Sequence, residues 1–305
     1  MPQLKVKSTN QVLDHVDTLG RWDQKYVQIS SGKFEGSITE IEVEGLNIFR
    51  EKMNMSVQQM TSPPPDTFAV SVSLNQCKLE YLDWRKSLQN GQGLMNFKSK
   101  YHLLTNLSSD LLVLDICQNK LNERAEKLGF IDLPKKNLGI HLTQDCIETA
   151  LQLLKGDDLG EQFYSQASRQ ILDEILLSLN VPIEPNKINY WKSDRKKIVN
   201  DACYGALESG VSSMNLESLC QFSNVGVRIL QLAFKEVLGI SPLKWLKIAK
   251  LNQVRKQLLT SNDLKITDIA LDHDFNHFGR FSAEYKQLFL EYPSQTVRGL
   301  VKSLK

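Results

Sequence analysis

The sequence predicts an α+β protein: a β-rich N-terminal barrel or sandwich with helices, then an all-α region of two helix-turn-helix units joined by a long helix. Three observations predict it. Apolar and polar residues alternate in short runs from about Tyr26 to Ile116. From Thr143 the apolar spacing changes to three and four residues, the period of a helix. After about Asp194 the chain reads as helices only.

The strands come first. Tyr26-Val27-Gln28-Ile29 leads into Ser30-Ser31-Gly32, a turn, and Ile38, Ile41, Val43, Leu46 and Ile48 follow in a partly alternating run. Thr67 to Leu74 alternates cleanly, as a strand buried on one face does. Pro63-Pro64-Pro65 ahead of it is a loop, and Gly91-Gln92-Gly93 reads as a further turn. Short strands separated by turns fit a small barrel or sandwich. Next, Ile147, Leu151 and Leu154 mark one helix. A second, from about Glu161 to Leu179, carries Phe163, Ala167, Ile171, Ile175 and Leu179 on one stripe. That stripe fits packing against the strands and fits a dimer contact equally well.

Asn180 to Asn186 holds two prolines and cannot continue a helix. The expected organisation is therefore a β-rich sensory or regulatory domain over 1–142, a helical segment over 143–181 that could serve dimerisation, a linker over 182–197, and a DNA-binding domain over 198–300. Its two helix-turn-helix units lie at about 216–238 and 266–289.

Composition narrows the class. The 305 residues are 41% hydrophobic and 24% charged, ordinary for a soluble globular chain. Five scattered cysteines give neither a disulfide framework nor a CxxC metal site. The N-terminal residues lack the apolar core of a signal peptide, and no apolar run is long enough to span a bilayer, so a reducing cytoplasm is expected and no membrane partner. The net charge of +2 hides an asymmetry: residues 190–305 carry 17 Lys and Arg against 11 Asp and Glu, whereas the rest is acidic. A basic C-terminal region points to nucleic acid.

The helical region is the informative one. Asn215 is a good N-cap for Leu216 to Phe222. Ser223-Asn224-Val225-Gly226 turns the chain, and a helix runs from Val227 to about Leu238, stopped by Gly239. Leu230, Ala233, Phe234 and Val237 share its inner face, with Leu219 and Val225 completing a small core. Val227, Arg228, Gln231 and Lys235 lie opposite. A short helix, a tight turn and a second helix with a polar outer face form a helix-turn-helix, whose second helix fits the major groove. Ser241-Pro242 then opens a helix reaching about Leu259, with Trp245, Ile248, Leu251 and Leu258 inward and Lys244, Lys247, Lys250, Arg255 and Lys256 around it. In the second unit Ile266, Ile269 and Ala270 face inward, Asp272 to Phe275 turns, and Asn276 caps a helix with Phe281, Tyr285 and Phe289 as core aromatics. His277, Arg280, Ser282 and Lys286 are its polar members, and Pro293 ends it.

The run from Leu219-Cys220-Gln221-Phe222 through Leu230 to Pro242 resembles the first motif of the AraC/XylS regulators. Ile266-Thr267-Asp268-Ile269-Ala270, Phe275, Phe281-Ser282-Ala283-Glu284-Tyr285-Lys286, Phe289 and Tyr292-Pro293-Ser294 resemble the second, so the match covers roughly 196–300. The resemblance implies a two-unit reader of double-stranded DNA. Its base readers would be Arg228, Gln231 and Leu232 in the first unit, and Phe278, Gly279, Ser282 and Ala283 in the second. Departures from the family pattern are Gly226 in place of a capping Ser, Leu232 where a basic residue is common, and Asp274 and Leu290 in place of two glycines. If those glycines adopt positive φ, Asp274 tolerates it better than Leu290. The second unit offers few side chains for direct readout, so His277, Arg280 and Lys286 are expected on phosphates.

The resemblance further implies a transcriptional activator with RNA polymerase as partner, and an N-terminal domain, often cupin-like, that senses a small-molecule effector or forms a homodimer. Trp84, Tyr101-His102 and the helix-like Lys120–Ala125 are reminiscent of such domains. His15, His102 and His141 are isolated in the sequence, so no metal and no cofactor are expected. A second reading keeps DNA binding and gives the N-terminal half no ligand, only dimerisation or a polymerase contact. An enzyme is disfavoured: the chain has no GxSxG elbow, P-loop, GxGxxG or HExxH motif.

Overall fold

A strand shows alternation when its two faces meet different surroundings, and here the strands Val57–Ser62, Thr67–Ser73 and Ser109–Cys117 have both faces covered. The computed structural model describes residues 2–75, 80–82, 92–97, 100–130, 133, 138–156, 159–179, 190–261 and 265–297. In chain order come β1 (Lys5–Thr9), α1 (Val12–Val16), β2 (Asp23–Gln28), β3 (Gly36–Val43), β4 (Leu46–Met53), β5 (Val57–Ser62), β6 (Thr67–Ser73), β7 (Glu80–Tyr81), β8 (Gln92–Phe97), β9 (Tyr101–Leu104) and β10 (Ser109–Cys117). Then follow α2 (Gln118–Lys127), β11 (Leu138–His141), α3 (Gln144–Leu153) and α4 (Gly160–Leu179). The remainder is helical: α5 (Tyr190–Ser209), α6 (Leu216–Ser223), α7 (Val227–Val237), α8 (Pro242–Thr260), α9 (Ile266–Asp272) and α10 (Phe278–Phe289).

The strands form two sheets, of order β1-β3-β4-β10-β6-β8-β11 and β2-β5-β9-β7. All the strand pairs are antiparallel. Between the sheets lie Trp22, Phe49, Ala69, Tyr101, Leu111 and Val113. The opposite face of the larger sheet carries a ladder in register across four strands, Ile41, Ile48, Leu114 and Val70. That ladder is buried against Leu121 of α2, Ile147 of α3 and Ile171 and Ile175 of α4. Each such side chain contributes about 1.5–3 kcal/mol on leaving water.

This layering corrects several expectations. Thr67–Ser73 is buried on both faces, not one, because Phe68, Val70 and Val72 meet the helices while Ala69 meets the second sheet. The α4 stripe is intramolecular: Ala167, Ile171 and Ile175 are buried on the sheet, with Phe163 and Leu179 packed beside them, so that stripe is not free to meet a second copy. Gly91-Gln92-Gly93 is no turn at its described residues. Gly93 lies inside β8, where an added Cβ would sit 2.9 Å from the Ser71 carbonyl oxygen. The strands also begin earlier, at Lys5, and end later, at His141.

The outer face of the smaller sheet is covered by the C-terminal helices. Val27, Met60 and Leu82 share one core with Val199, Cys203 and Trp245. A chain of buried polar groups crosses this boundary. The Trp245 indole N–H donates to Gln58 Oε1 at 2.5 Å, and Gln58 Nε2 lies 2.7 Å from His102 Nε2. His102 Nδ1 lies 2.9 Å from Asn200 Oδ1. Indole nitrogen only donates, which fixes the Gln58 amide, and the amide N–H₂ in turn makes His102 Nε2 the acceptor and Nδ1 the protonated nitrogen. Nearby, Asn252 holds both the N–H and the carbonyl of Gln28, at 3.0 and 3.1 Å, and Arg255 donates twice to Gln11 Oε1, at 2.9 and 2.6 Å.

The two-proline segment 180–186 and Trp84 lie outside the described residues. The expected linker over 182–197 is too long at its C-terminal end, since α5 already begins at Tyr190. Cys146 and Cys203 are buried free thiols, and burial pushes the Cys146 pKa up to about 12. Among the described residues no helix is long and apolar enough to cross a membrane.

Burial pulls the His102 pKa from its ordinary 6.5 down to about 4, against the opposing pull of Asn200. A proton taken up on unfolding between those values means that His102 supports the fold fully above pH 6.5. The support is lost as the pH falls toward 4, by roughly 3 kcal/mol in total. Urea midpoints recorded from pH 7 to 4.5 should therefore fall more steeply for the native chain than for His102→Gln. Parallel slopes would show that His102 is not the responsible group.

Candidate nucleic-acid interface

The first unit is built from local signals. Asn215 caps α6 by accepting from the Ser218 N–H at 2.9 Å, and Ser218 returns a bond to the Asn215 N–H at 3.3 Å, a reciprocal box. Asn224 ends α6 in the left-handed region, φ 51°, which asparagine tolerates. The chain then enters α7 through Gly226, which is extended and contributes no side-chain cap. Leu230, Ala233, Phe234 and Val237 are buried, and Phe234 meets the Trp245 ring edge-on at 5.9 Å. Opposite them Val227, Arg228, Gln231, Leu232 and Lys235 are all exposed. Lys235 donates to the Gly239 carbonyl at 3.3 Å, at the C-terminal end of α7.

Helix α8 begins at Ser241, whose hydroxyl accepts from the Lys244 N–H, followed by Pro242. Lys244 and Lys256 are exposed, whereas Lys250 and Arg255 are engaged. Lys250 is buried and pairs with Asp274 at 2.5 Å. Arg255 stacks on the Phe289 ring at 4.5 Å, pairs with Glu291 at 2.8 Å and reaches Tyr285 Oη at 3.1 Å. These contacts hold the second unit against α8.

In that second unit Phe281, Tyr285 and Phe289 stack in sequence, with Phe275 on Phe281. The turn is pinned by buried His273, which bridges Ser212 Oγ at 3.0 Å and Gln257 Oε1 at 3.1 Å. Asn276 is not the N-cap. Helix α10 starts one residue later, behind His277, which makes no side-chain cap bond. His277, Phe278, Gly279, Arg280, Ala283 and Lys286 are exposed, and Ser282 is half-buried.

The two cations assigned to phosphates, Arg280 and Lys286, stand in different surroundings. Arg280 bonds Glu284 at 2.9 Å, and Lys247 of α8 shares the same carboxylate oxygen at 2.7 Å. Lys286 lies 4.4 Å from the Tyr292 ring centroid and bonds its hydroxyl at 3.2 Å. Exposed pairs of this kind are worth about 0–1 kcal/mol, so neither is locked away from a stronger anion. Lys247 was not singled out from sequence as part of the second unit. Its placement there depends on the fold of α8 over α10. Exposed Ile229, on the outer side of α7, was also missed, because it falls between the polar positions that drew attention.

A family profile described as a helix-turn-helix domain matches residues 219–299. Residues 219–299 thus carry a helix-turn-helix domain. The XylDLEGF operon transcriptional activator 2 of Pseudomonas putida is 37% identical over 87 residues, 28% of this chain and 55% of that protein. The "Probable thc operon regulatory protein" of Rhodococcus erythropolis is 42% identical over 76 residues, 24% of this chain and 23% of that one. The chain thus spans about half or less of the length of these curated relatives. The crystal structure of the AraC-like transcriptional activator CuxR aligns at 13% identity and a TM-score of 0.44, over 83% of this chain and 96% of that one.

At two positions where the AraC/XylS pattern that this region resembles has glycine, the backbone carries positive φ, Asp274 at 64° and Leu290 at 55°. Leu290 is exposed and gains nothing from its side chain there, whereas Asp274 holds buried Lys250. Leu290→Gly should therefore raise stability by up to about 1 kcal/mol, and Asp274→Gly should not. Thermal unfolding of the two variants checks this. A gain from Asp274→Gly equal to that from Leu290→Gly would mean that the ion pair with Lys250 contributes nothing.

Proposed function

We propose that the chain is a sequence-specific DNA-binding transcriptional regulator, acting in the cytoplasm and without a catalytic step of its own. The observation that carries this reading is the exposure of two helix faces, on α7 and α10, within a domain of matching family, while the opposite faces of both helices are buried. In this reading Arg228 and Gln231 contact base edges, with Val227, Leu232 and Lys235 beside them. Phe278, Gly279, Ser282 and Ala283 lie along the second groove, and His277, Arg280 and Lys286 hold phosphates. The 19 residues of α8 give a rod of about 28 Å between the units, comparable with the roughly 34 Å between successive major grooves on one face of the duplex. Activation, and RNA polymerase as partner, follow from the operon activators similar to the C-terminal region.

The N-terminal domain, over 1–142 with the helices of 143–181, is read as a cupin-like regulatory domain that binds a small-molecule effector. Two facts support this. It is seated directly on α5 and α8, so a change inside it reaches the domain that holds the readers. Between its sheets, Thr61 Oγ1 is buried without a hydrogen-bond partner, and the Asp115 carboxylate is buried with the Arg21 guanidinium 3.7 Å away. Burial raises the Asp115 pKa, against the opposing pull of Thr67 and Arg21. Buried polar groups of this kind ask for a partner. The opposing reading, without an effector, and homodimer formation through a surface other than the buried α4 stripe, are decided by measurement on the full chain. Saturable binding of a small molecule that shifts DNA affinity is the expected result.

For DNA, Arg228→Ala and Gln231→Ala should each weaken a selected duplex by about 1–3 kcal/mol while leaving random duplex nearly unaffected. Equal affinity of both variants and the native chain for the selected site would reject α7 as a reader. Lys286→Ala should weaken all duplexes alike and flatten the salt dependence. A loss confined to one sequence would show that Lys286 reads a base.

A further inference from the structure

The outer face of each reader helix carries exposed apolar positions at or beside its centre. On α7 the buried residues Leu230, Ala233, Phe234 and Val237 define the inner side. At 100° per residue the point opposite them falls between Arg228 and Leu232, with Lys235 on the other flank. Leu232, about 30° to one side of that point with Arg228 and Lys235 toward the other side, is 51% exposed. On α10 the corresponding strip is Gly279 and Ala283, one turn apart and both exposed. Gly279 has no internal reason to be glycine: its φ is not in the left-handed region, and a Cβ added to it would meet nothing within 4 Å. Helix propensity disfavours glycine here, so what excludes a side chain lies outside the chain.

We propose that thymine methyl groups are what these two strips recognise, Leu232 in the first unit and the Gly279–Ala283 strip in the second. The proposal rests on the reading of α7 and α10 as groove helices and adds their base preference. Leucine neither donates nor accepts. In the major groove guanine, adenine and cytosine offer polar edge atoms, which a leucine would strip of water without replacement, whereas thymine offers its C5-methyl group. The glycine removes the bulk that would hold α10 away from the base edges, and the Ala283 methyl is then the group that meets a thymine. Lys235, Arg280 and Lys286 flank these strips as cations suited to phosphates, and Arg228 stays on a base edge.

The test uses the full chain and duplexes enriched by it from a random-sequence pool. In the best duplex each thymidine is replaced in turn by 2′-deoxyuridine, which removes the methyl group and keeps the pairing. Loss of one methyl contact should weaken native binding about threefold to fivefold at some positions in each half of the site. In Leu232→Ala the loss should vanish for the half read by α7 and persist for the other. Gly279→Leu should weaken binding at least tenfold (on the order of a steric block) with an unfolding temperature that does not fall. If the enriched duplex binds specifically and every replacement is neutral, DNA reading stands and the methyl proposal falls. The proposal also falls if Leu232→Ala keeps the full pattern of losses, or if Gly279→Leu binds as the native chain does. If no duplex is enriched and no salt-sensitive binding exists, the groove reading fails as well.

Discussion

The rest of the structure depends on the seating of the smaller sheet's outer face against α5 and α8. Without it Val27, Met60 and Leu82 would lie bare on the sheet, and Val199, Cys203 and Trp245 would lose part of their cover. The polar chain from Trp245 through Gln58 and His102 to Asn200 adds direction to that apolar contact. Each group in it has one way to satisfy its neighbour, so a slip of α8 along the sheet leaves several buried donors and acceptors unpaired at once. The Asn252 bonds to Gln28 and the Arg255 bonds to Gln11 extend the same constraint along α8. One more contact, from the Gly32 N–H to the Leu288 carbonyl at 2.8 Å, reaches α10 itself.

What could be read from sequence was what is local. Asn215 caps the helix that follows it, as its sequence indicates, because a cap needs only the next three residues. The positive φ expected at Asp274 and Leu290 is present. The apolar faces of α7, α8 and α10 follow the helical period closely enough to name the core. Asn276 failed as a cap because the turn before α10 is shaped by distant groups, His273 on Ser212 and Gln257 and Asp274 on Lys250, which set where the helix begins.

What was not legible depends on the second partner of an element. The strand Lys5–Thr9 shows no apolar pattern because it is an edge strand, paired only with β3 and exposed at four of its five residues. The α4 stripe could be read but not its target, since a helix face looks the same whether a sheet or a second copy covers it. The polar residues Gln58, His102 and Asn200 carry no sequence signal at all. They are separated by 44 and 98 positions and acquire meaning only when two regions are brought face to face. The same holds for Lys250 and Arg255, legible as surface cations of α8 and found instead bracing the second unit.

This arrangement restricts how the two regions influence each other. The exposures were all found with the N-terminal domain in place, yet Arg228, Gln231, Leu232, Phe278, Gly279 and Ala283 remain exposed. The domain therefore does not cover the faces assigned to the grooves. It touches α8, the helix between the two readers, through Trp245, Asn252 and Arg255, and reaches α10 at the Leu288 carbonyl. An influence passing from one region to the other then has to act on the angle and spacing of the two units, by shifting α8 or loosening its seat, and not by blocking access. Two rigid readers on one rod are sensitive to such a shift, because both must meet their grooves at once, and a small rotation at α8 is carried out to both ends.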